Sequence, residues 1–358
     1  MYTDLKKLCI NPESSIHTAI AQIEVSRIGI VLVVDPQSKL LGTVTDGDLR
    51  RIILSGTSLD EPVSVLLAQK SKSPFAKPIT APVGADRDTL IEKFQQHSIR
   101  HLPLVDQQQQ VVALVTIDEF TLDTAPSMEA VIMAGGMGTR LRPLTDQLPK
   151  PMLPVGDQPL MEIIINQLRN ANINHVNVSV HHESAKITDY FGDGSKFGID
   201  ITYLTEDRPL GTAGSLGLMT APQETVLVIN GDILTQVNFR AMLDYHQEHS
   251  ADLTVAVRQY DLQVPYGVVE CEGSSIQRIS EKPMLKFFIN AGIYLLEPSV
   301  YNFIPNGERY DMTDLVQRLL DEGRSVVAFP IREFWSDIGQ HADYEQAQEQ
   351  VKKWQQIP

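Results

Sequence analysis

The sequence predicts an α/β protein in two parts: a small α+β module made from two copies of one motif, then a larger domain on a mostly parallel sheet. Three observations carry this. The stretch Ile28 to Arg51, "IGIVLVVDPQSKLLGTVTDGDLRR", returns as Ile99 to Leu122, "IRHLPLVDQQQQVVALVTIDEFTL", at a constant offset of 71 residues. After Glu129, short apolar runs alternate with amphipathic helical stretches, the pattern of a sheet covered on both faces. At the start of that second pattern, the apolar run "AVIMA" leads straight into "GGMGTR", a glycine loop followed by a cation.

The bulk numbers agree. A chain of 358 residues is too long for one ordinary core and points to two or three domains. A composition of 42% apolar and 21% charged residues is that of a globular protein. The longest apolar stretches, such as "IGIVLVV", are far shorter than a membrane span, and "MYTDLKKLCI" lacks the apolar centre of a signal peptide. No membrane partner is expected. Cys9 and Cys271 are the only cysteines, so a disulfide framework is not expected and the reading is a reducing cytoplasm. Net charge is −15; residues 1–125 hold 12 basic and 15 acidic residues, which leaves −12 to the rest. That balance shows no basic stripe for a nucleic acid. A polyphosphate remains open to such a chain, provided a few local cations and a metal ion hold it.

In the first part, residues 1–125, each copy reads as strand, turn, strand, then helix, and each is preceded by a helical stretch: "SSIHTAIAQIEVS" in one, "DRDTLIEKFQQHS" in the other. The copies run over about residues 8–60 and 76–123. Asp35 falls on Asp106, Thr45 on Thr116, and Asp48 on Glu119. An internal repeat of this kind packs as one module. Over roughly residues 8–122 the pair resembles tandem CBS domains. In that family a Thr-x-x-Asp after the second strand often holds the ribose of an adenosyl ligand. The resemblance therefore implies Thr45, Asp48 and Thr116 as contacts for AMP or ATP, with Glu119 departing from the pattern. The residues alone equally allow another reading, in which Asp48 and Glu119 open a helix where a carboxylate favours the dipole. "TLDTAPSMEA", residues 121–130, reads as a linker.

The second part, residues 128–358, opens with the strand "AVIMA". Next come the helix "PLMEIIINQLRNA", the strand "HVNVSV", the helix "ESAKITDYF" and the strand "IDITYL". "GTAGSLGLM" is expected to open another helix, "TVLVIN" is a further strand, and "DYEQAQEQVKKWQQ" a closing amphipathic helix. Ligands on such sheets sit beyond the C-terminal strand ends, where "AGGMGTR" and "NGD" fall. The glycine loop is neither a Walker loop nor a dinucleotide fingerprint. Thr139 and Arg140 come after Gly138 where the first needs Lys-Ser/Thr, and Leu141 stands where the second needs its third glycine. The loop that is left has amides able to approach phosphates, with Arg140, Arg142 and Lys150 close behind.

"AGGMGTRLRPLTDQLPKPMLPVGDQPL" resembles the N-terminal signature of sugar-1-phosphate nucleotidylyltransferases, the NDP-sugar pyrophosphorylases. "EDRPLGTAGSL", "VINGDIL", "PYGVVE", "SEKP", "INAGIYLLEP" and "FWSDIGQHADY" come in the family's order, from Ala130 to about Tyr344. The resemblance implies a Rossmann-like, GT-A-like fold and transfer of a nucleoside monophosphate from an NTP to a hexose 1-phosphate. It implies Arg140 and Lys150 as catalytic groups and Ala134, Gly135, Gly136, Gly138, Thr139, Glu206 and Gly211 as nucleotide contacts. Gly267, Glu281, Lys282 and Asn290 would hold the sugar phosphate, and Asp232 and Asp337 would bind Mg2+. Trp335 reads as a packing residue, and His181 and His182 as structural or exposed.

The wording is closest to the CBS-fused, guanylyl branch, whose members make GDP-sugars such as GDP-glucosamine or GDP-mannose. GTP is the expected nucleotide, with a thymidylyl or uridylyl enzyme as the alternative. A catalytically inactive, nucleotide-sensing CBS protein is the other. The tail shows no hexapeptide repeats. CBS pairs commonly associate face to face, which implies a homo-oligomer.

Overall fold

The computed structural model describes all residues except 72–75, 98, 121–127, 137, 182–183 and 356–358. Most of the expected linker, and His182, lie outside the described residues. The chain forms two compact units, Met1–Pro126 and Ser127–Pro358.

In the N-terminal unit each repeat builds one three-stranded sheet. The first comprises β1 (Cys9–Ile10), α1 (Ile16–Ser26), β2 (Ile30–Val34), β3 (Leu40–Thr45), α2 (Asp46–Leu54) and α3 (Val63–Lys70). The Ser15 hydroxyl accepts from the Thr18 amide and caps α1, which buries Ile16, Ala19 and Ile23, one helical face. β1 runs parallel to β2, and β2 antiparallel to β3. The second repeat copies this pairing with β4 (Ala81–Pro82), α4 (Arg87–His97), β5 (His101–Val105) and β6 (Val111–Thr116). Its described continuation is a 3-10 turn at Ile117–Glu119 rather than the expected α-helix. Leu8, Ile30 and Leu32 of one repeat pack with Val111 and Leu114 of the other, so the two share apolar surface that neither buries alone.

The C-terminal unit starts with β7 (Glu129–Met133), the short pair β8 (Pro154–Val155) and β9 (Gln158–Pro159), α5 (Leu160–Asn170), β10 (His175–Val180), α6 (Ser184–Phe191) and β11 (Asp200–Thr205). It continues with α7 (Gly211–Gly214), β12 (Val226–Asn230), β13 (Ile233–Thr235), α8 (Phe239–Glu248), β14 (Leu253–Gln263), β15 (Val268–Glu272), β16 (Ser275–Ser280) and β17 (Met284–Leu296). α9 (Met312–Asp321), β18 (Val326–Pro330), β19 (Trp335–Asp337) and α10 (His341–Gln355) close it. Seven strands form one sheet in the order β11-β10-β7-β12-β17-β14-β18, parallel except where β17 pairs. Alternate residues of β7 enter different cores. Ala130 and Ile132 pack with Ile164 and Leu168 of α5 and Phe239 of α8, while Val131 packs with Met312 and Leu315 of α9. The mostly parallel, doubly covered α/β sheet that the sequence predicts is the sheet found.

The helix expected from "GTAGSLGLM" amounts to one α turn and a 3-10 turn, Ser215–Leu218. Its glycines serve close packing instead of helix length. Gly211 sits at φ 78°, and a Cβ there would lie 2.7 Å from the Tyr310 carbonyl oxygen. A Cβ on Gly214 would lie 2.6 Å from the carbonyl oxygen of Glu308. The parallel strands β7, β10 and β12 all end at one edge of the sheet, and the loops leaving β7 and β12 there form the site.

Candidate active site

Beyond β7 the loop is built from glycines, and at Gly138 a side chain has nowhere to go. Gly138 is left-handed (φ 60°), and a Cβ would lie 2.9 Å from Thr145 Cγ2 and 3.2 Å from Lys150 Cβ. The Thr145 hydroxyl locks the turn by donating to the Gly138 carbonyl (2.8 Å). A Cβ on Gly136, by contrast, would meet nothing within 4 Å, so its backbone faces open space. Ala134 is buried and donates its amide to the Ser179 carbonyl (2.9 Å), which ties the loop base to β10. Thr139 and Arg140 are exposed on a 3-10 turn anchored by buried Leu141.

Lys150 lies buried at the head of the turn Lys150–Met152, between Pro149 and Pro151. Its ammonium donates to Asp232 Oδ2 and stands 3.6 Å from Asp337 Oδ1. The two aspartates meet because β13 pairs antiparallel with β19, Ile233 opposite Asp337, and because the Ile338 amide donates to the Asp232 carbonyl (3.0 Å). Gly231 makes the turn into Asp232 tight enough; its amide donates to the Met133 carbonyl, and a Cβ would lie 2.8 Å from that oxygen. The Arg140 guanidinium completes the ring: a Cβ on Gly339 would lie 3.6 Å from both Arg140 Nη1 and Asp337 Oδ1. Together Gly136, Gly138, Thr139, Arg140, Lys150, Asp232 and Gly339 line a cavity of about 250 Å³.

Burial, and then the neighbouring Asp232 charge, push the Asp337 carboxyl above its ordinary pKa, against the pull of Lys150 and Arg140. One oxygen on each aspartate, Asp232 Oδ1 and Asp337 Oδ1, is buried without a hydrogen-bond partner. Among the described residues no group of three or more Asp, Glu, His or Cys side chains gathers as a metal cage. Two mutually repelling carboxylates with orphan oxygens nonetheless fit a hard divalent cation that takes its other ligands from water and phosphate.

The remaining candidates divide. Glu206 is buried beside the loop, its Oε1 3.2 Å from where a Gly135 Cβ would stand. It accepts from the Ser179 hydroxyl (2.5 Å) and the Leu210 amide (2.8 Å), so its carboxylate holds backbone together. His181, half-buried, donates Nδ1–H to the Glu206 carbonyl (2.8 Å), next to Gly135, which makes it part of the loop's support. Gly211 lies under Tyr310 and Asp311. Gly267 and Glu281 come together, a Cβ on Gly267 lying 3.2 Å from Glu281 Oε2. Glu281 and Lys282 are exposed in the turn between β16 and β17 and are not among the cavity's lining residues. Asn290 donates to the Tyr294 hydroxyl (2.7 Å) and accepts from the Gly292 amide (3.0 Å). Trp335 packs against the main core and donates its indole N–H to the Ala291 carbonyl (2.8 Å).

In the N-terminal unit Thr45 and Asp48 form a reciprocal capping box on α2, and Thr116 and Glu119 form the same box on the turn after β6. Thr145, Gly231 and Gly339 are the site residues that sequence reasoning missed. All three stood inside quoted motifs, and the signal of the two glycines was a glycine within two residues of a candidate metal ligand.

A family model described as nucleotidyl transferase matches residues 129–353, and one described as CBS domain matches residues 3–55 and 74–121. A UTP–glucose-1-phosphate uridylyltransferase of Synechocystis sp. is 35% identical over 241 residues, 62% of this chain and 62% of its own length. A mannose-1-phosphate guanylyltransferase of Mycobacterium tuberculosis is 31% identical over 226 residues, 61% of this chain and 62% of its own length. The chain thus spans less than two thirds of the length of these relatives. A crystal structure from Bacillus anthracis, assigned as a glucose-1-phosphate thymidylyltransferase and in complex with sucrose, is similar with a TM-score of 0.53 at 25% identity. The similarity covers 63% of this chain and 96% of that one.

Proposed function

The chain belongs to the nucleotidyl transferase family and carries CBS domains at its N-terminus, and on that basis we propose that it joins GTP to a hexose 1-phosphate, giving a GDP-sugar and pyrophosphate. The observation that carries this reading is the buried Lys150 ammonium set between Asp232 and Asp337 on the wall of a cavity rimmed by glycine backbone.

In the reaction a sugar-phosphate oxygen forms a bond to the α-phosphorus, and the bond from that phosphorus to the α–β bridging oxygen breaks. The electron pair leaves with pyrophosphate, so no protein nucleophile is needed. The two substrates are anions, and the task is to hold them in line against their repulsion. The open backbone at Gly136 lets the phosphates come close. Arg140, exposed at the cavity edge, offers a planar fork to the departing β- and γ-phosphates. Lys150 donates to the α-phosphate as charge grows there; held between two prolines and two carboxylates, it does so without reorganising. Asp232 and Asp337 would hold Mg2+, which when bound neutralises phosphate charge. Glu206 and Gly211 shape the base pocket from behind. Gly267, Glu281, Lys282 and Asn290 take the sugar phosphate.

Pyrophosphate release from the purified full chain with Mg2+, each NTP and a panel of hexose 1-phosphates tests this. Release with GTP is expected. Release confined to UTP or dTTP would establish the uridylyl or thymidylyl reading, which a uridylyltransferase among the relatives at comparable identity supports. No release with any pair would leave an inactive, nucleotide-sensing CBS protein.

The Thr45, Asp48 and Thr116 pattern supports a regulatory role for the CBS pair: AMP or ATP binds there and modulates turnover. Lys70 and Arg51 already occupy the Asp48 carboxylate, so a ribose must displace one of them. Calorimetry with AMP on the full chain decides; absence of heat and of any thermal shift would make Asp48 a helix cap and nothing more.

A further inference from the structure

Asp337 reaches the cavity on a crossing segment. β18, at the edge of the seven-stranded sheet, ends at Pro330, and the chain then turns back to pair as β19 with β13. That pair is three residues long, Ile233–Thr235 against Trp335–Asp337. A ladder so short holds its register weakly, and a slip of one residue turns every side chain to the other face. In one register Asp337 stands beside Lys150 and Asp232, and in the next it points away. The two carboxylates also repel, so the backbone has to enforce their approach.

Near the pair the register is pinned by the Ile338 amide on the Asp232 carbonyl (3.0 Å) and by the Phe334 carbonyl, which accepts from the Gln236 amide (2.9 Å) and the Thr235 hydroxyl (3.0 Å). The Trp335 indole donates to the Ala291 carbonyl of β17 (2.8 Å). Farther upstream one side chain takes hold of three residues. Arg258 Nη1 lies 3.2 Å from the carbonyl oxygen of Ile331, 3.4 Å from that of Arg332 and 3.1 Å from that of Glu333. Successive carbonyls of a strand alternate in direction, so three that converge on one nitrogen mean a curled backbone. Strand pairing cannot satisfy such a curl, whereas a cation at its focus can. The Ile331 amide donates back to the Val257 carbonyl (2.8 Å), so the grip is closed from both sides.

β14 bonds to β18 over Leu253–Val257, and Arg258 is the next residue. From there β14 and β17 run on as far as Gln263 opposite Met284, and β15 pairs with β16 beyond them. Residues 258–290 thus form a two-stranded arm outside the seven-stranded sheet, and Arg258 is its first residue. Arg258 is half-buried and is not among the cavity's lining residues. We propose that Arg258 is a positioning residue for the Asp337 carboxylate: its guanidinium gathers the carbonyls of residues 331–333, sets the register of β19, and so holds Asp337 beside Asp232. It touches neither substrate nor metal. This role presupposes that Asp337 is the Mg2+ ligand of the proposed reaction.

Mn2+ binding to the full chain, followed by the paramagnetic resonance of the free ion, tests this without turnover. Groups that orient metal ligands are worth about 10–100-fold in affinity, and Arg258 acts through backbone, so Arg258→Ala should weaken binding by about tenfold. Arg258→Lys leaves a cation among the carbonyls and should stay within about threefold of the parent. Trp335 reports on the segment itself, since Trp354 is the other tryptophan of the chain. In a Trp354→Phe background acrylamide should quench Trp335 more readily in Arg258→Ala than in the parent, and Arg258→Lys should restore its protection. Unchanged Mn2+ affinity in Arg258→Ala overturns the proposal. So does a weakened affinity with Trp335 quenched as in the parent, because the loss then does not pass through the segment. Asp337→Asn separates the two readings. If it leaves Mn2+ binding intact, Asp337 is no metal ligand, and the metal reading falls together with this role; a loss there with none in Arg258→Ala removes Arg258 alone.

Discussion

Asp48 and Asp337 are the same side chain in two regions of one molecule, and their surroundings drive them in opposite directions. Asp48 is 4% exposed and fully used. It accepts from the Thr45 amide and hydroxyl (both 3.0 Å), from Lys70 Nζ (2.6 Å) and from Arg51 Nη2 (2.6 Å). Burial alone would raise its pKa, but those donors and charges hold it below the ordinary value. Asp337 is less buried, yet one of its oxygens accepts no hydrogen bond, and burial together with the second carboxylate beside it raises its pKa. Burial therefore does not mark a working carboxylate. Whether the surrounding chain satisfies its lone pairs does. A satisfied one builds structure, whereas an unsatisfied one waits for a ligand.

Four substitutions probe the contrast between these two carboxylates. Lys150→Met should cost the most, about 1,000-fold in kcat/KM, because a preorganised donor to developing charge is lost. Steady-state pyrophosphate release reads this, and a loss under tenfold would move the chemistry elsewhere. Asp337→Asn should lower turnover by about 100-fold and yet raise the melting temperature in EDTA. The sign comes from linkage. A raised pKa means the folded state holds the proton more tightly than the unfolded state, so the ionised carboxylate costs stability near neutrality. A lower melting temperature would show that attraction to Lys150 outweighs that cost.

Asp48→Asn should behave the other way. It removes the buried carboxylate that pairs with half-buried Lys70 and Arg51, destabilises the N-terminal unit by roughly 2 kcal/mol, and leaves basal turnover within twofold at a temperature where the unit is folded. Urea unfolding and turnover on the same preparation check both. The smallest effect belongs to His101, whose Nε2 lies 2.6 Å from the Ile28 carbonyl and whose pKa burial lowers to about 4. Here the unfolded state binds the proton more tightly. The stability it contributes is complete above the unfolded value of about 6.5 and is lost as pH falls toward 4. His101→Asn should flatten the melting temperature between pH 7 and 4.5 relative to the parent; parallel curves would exclude this histidine.

Much of this was legible in the chain itself. The repeat predicted strand, turn, strand and helix twice over, packed as one module, and the alternation after Glu129 predicted the mostly parallel, doubly covered sheet. The glycine loop, Lys150 and the pair Asp232 and Asp337 were all singled out; Gly136, Gly138, Lys150 and Asp232 line one cavity, and Asp337 stands 3.6 Å from the Lys150 ammonium. The antiparallel arm was not legible, because exposed strands such as "QYDLQ" and "MLKFF" read like any other alternating segment until their pairing partners are known. "GTAGSLGLM" misled because its glycines report close approach by residues near 310, a contact across about a hundred positions of sequence. Glu281 and Lys282 were named from their motif, and the structure leaves them exposed on the arm.

Local elements, the two-part organisation and the residue types able to handle a phosphate were written in the sequence, because dihedral preference, side-chain period and charge are properties of neighbours along the chain. Which carboxylate oxygens stay without a hydrogen bond was settled only by the folded arrangement. Asp232 and Asp337 meet through a strand pair between distant segments, with Lys150 arriving from a third. Lone-pair satisfaction is a property of neighbours in space, and no spacing in the sequence encodes it.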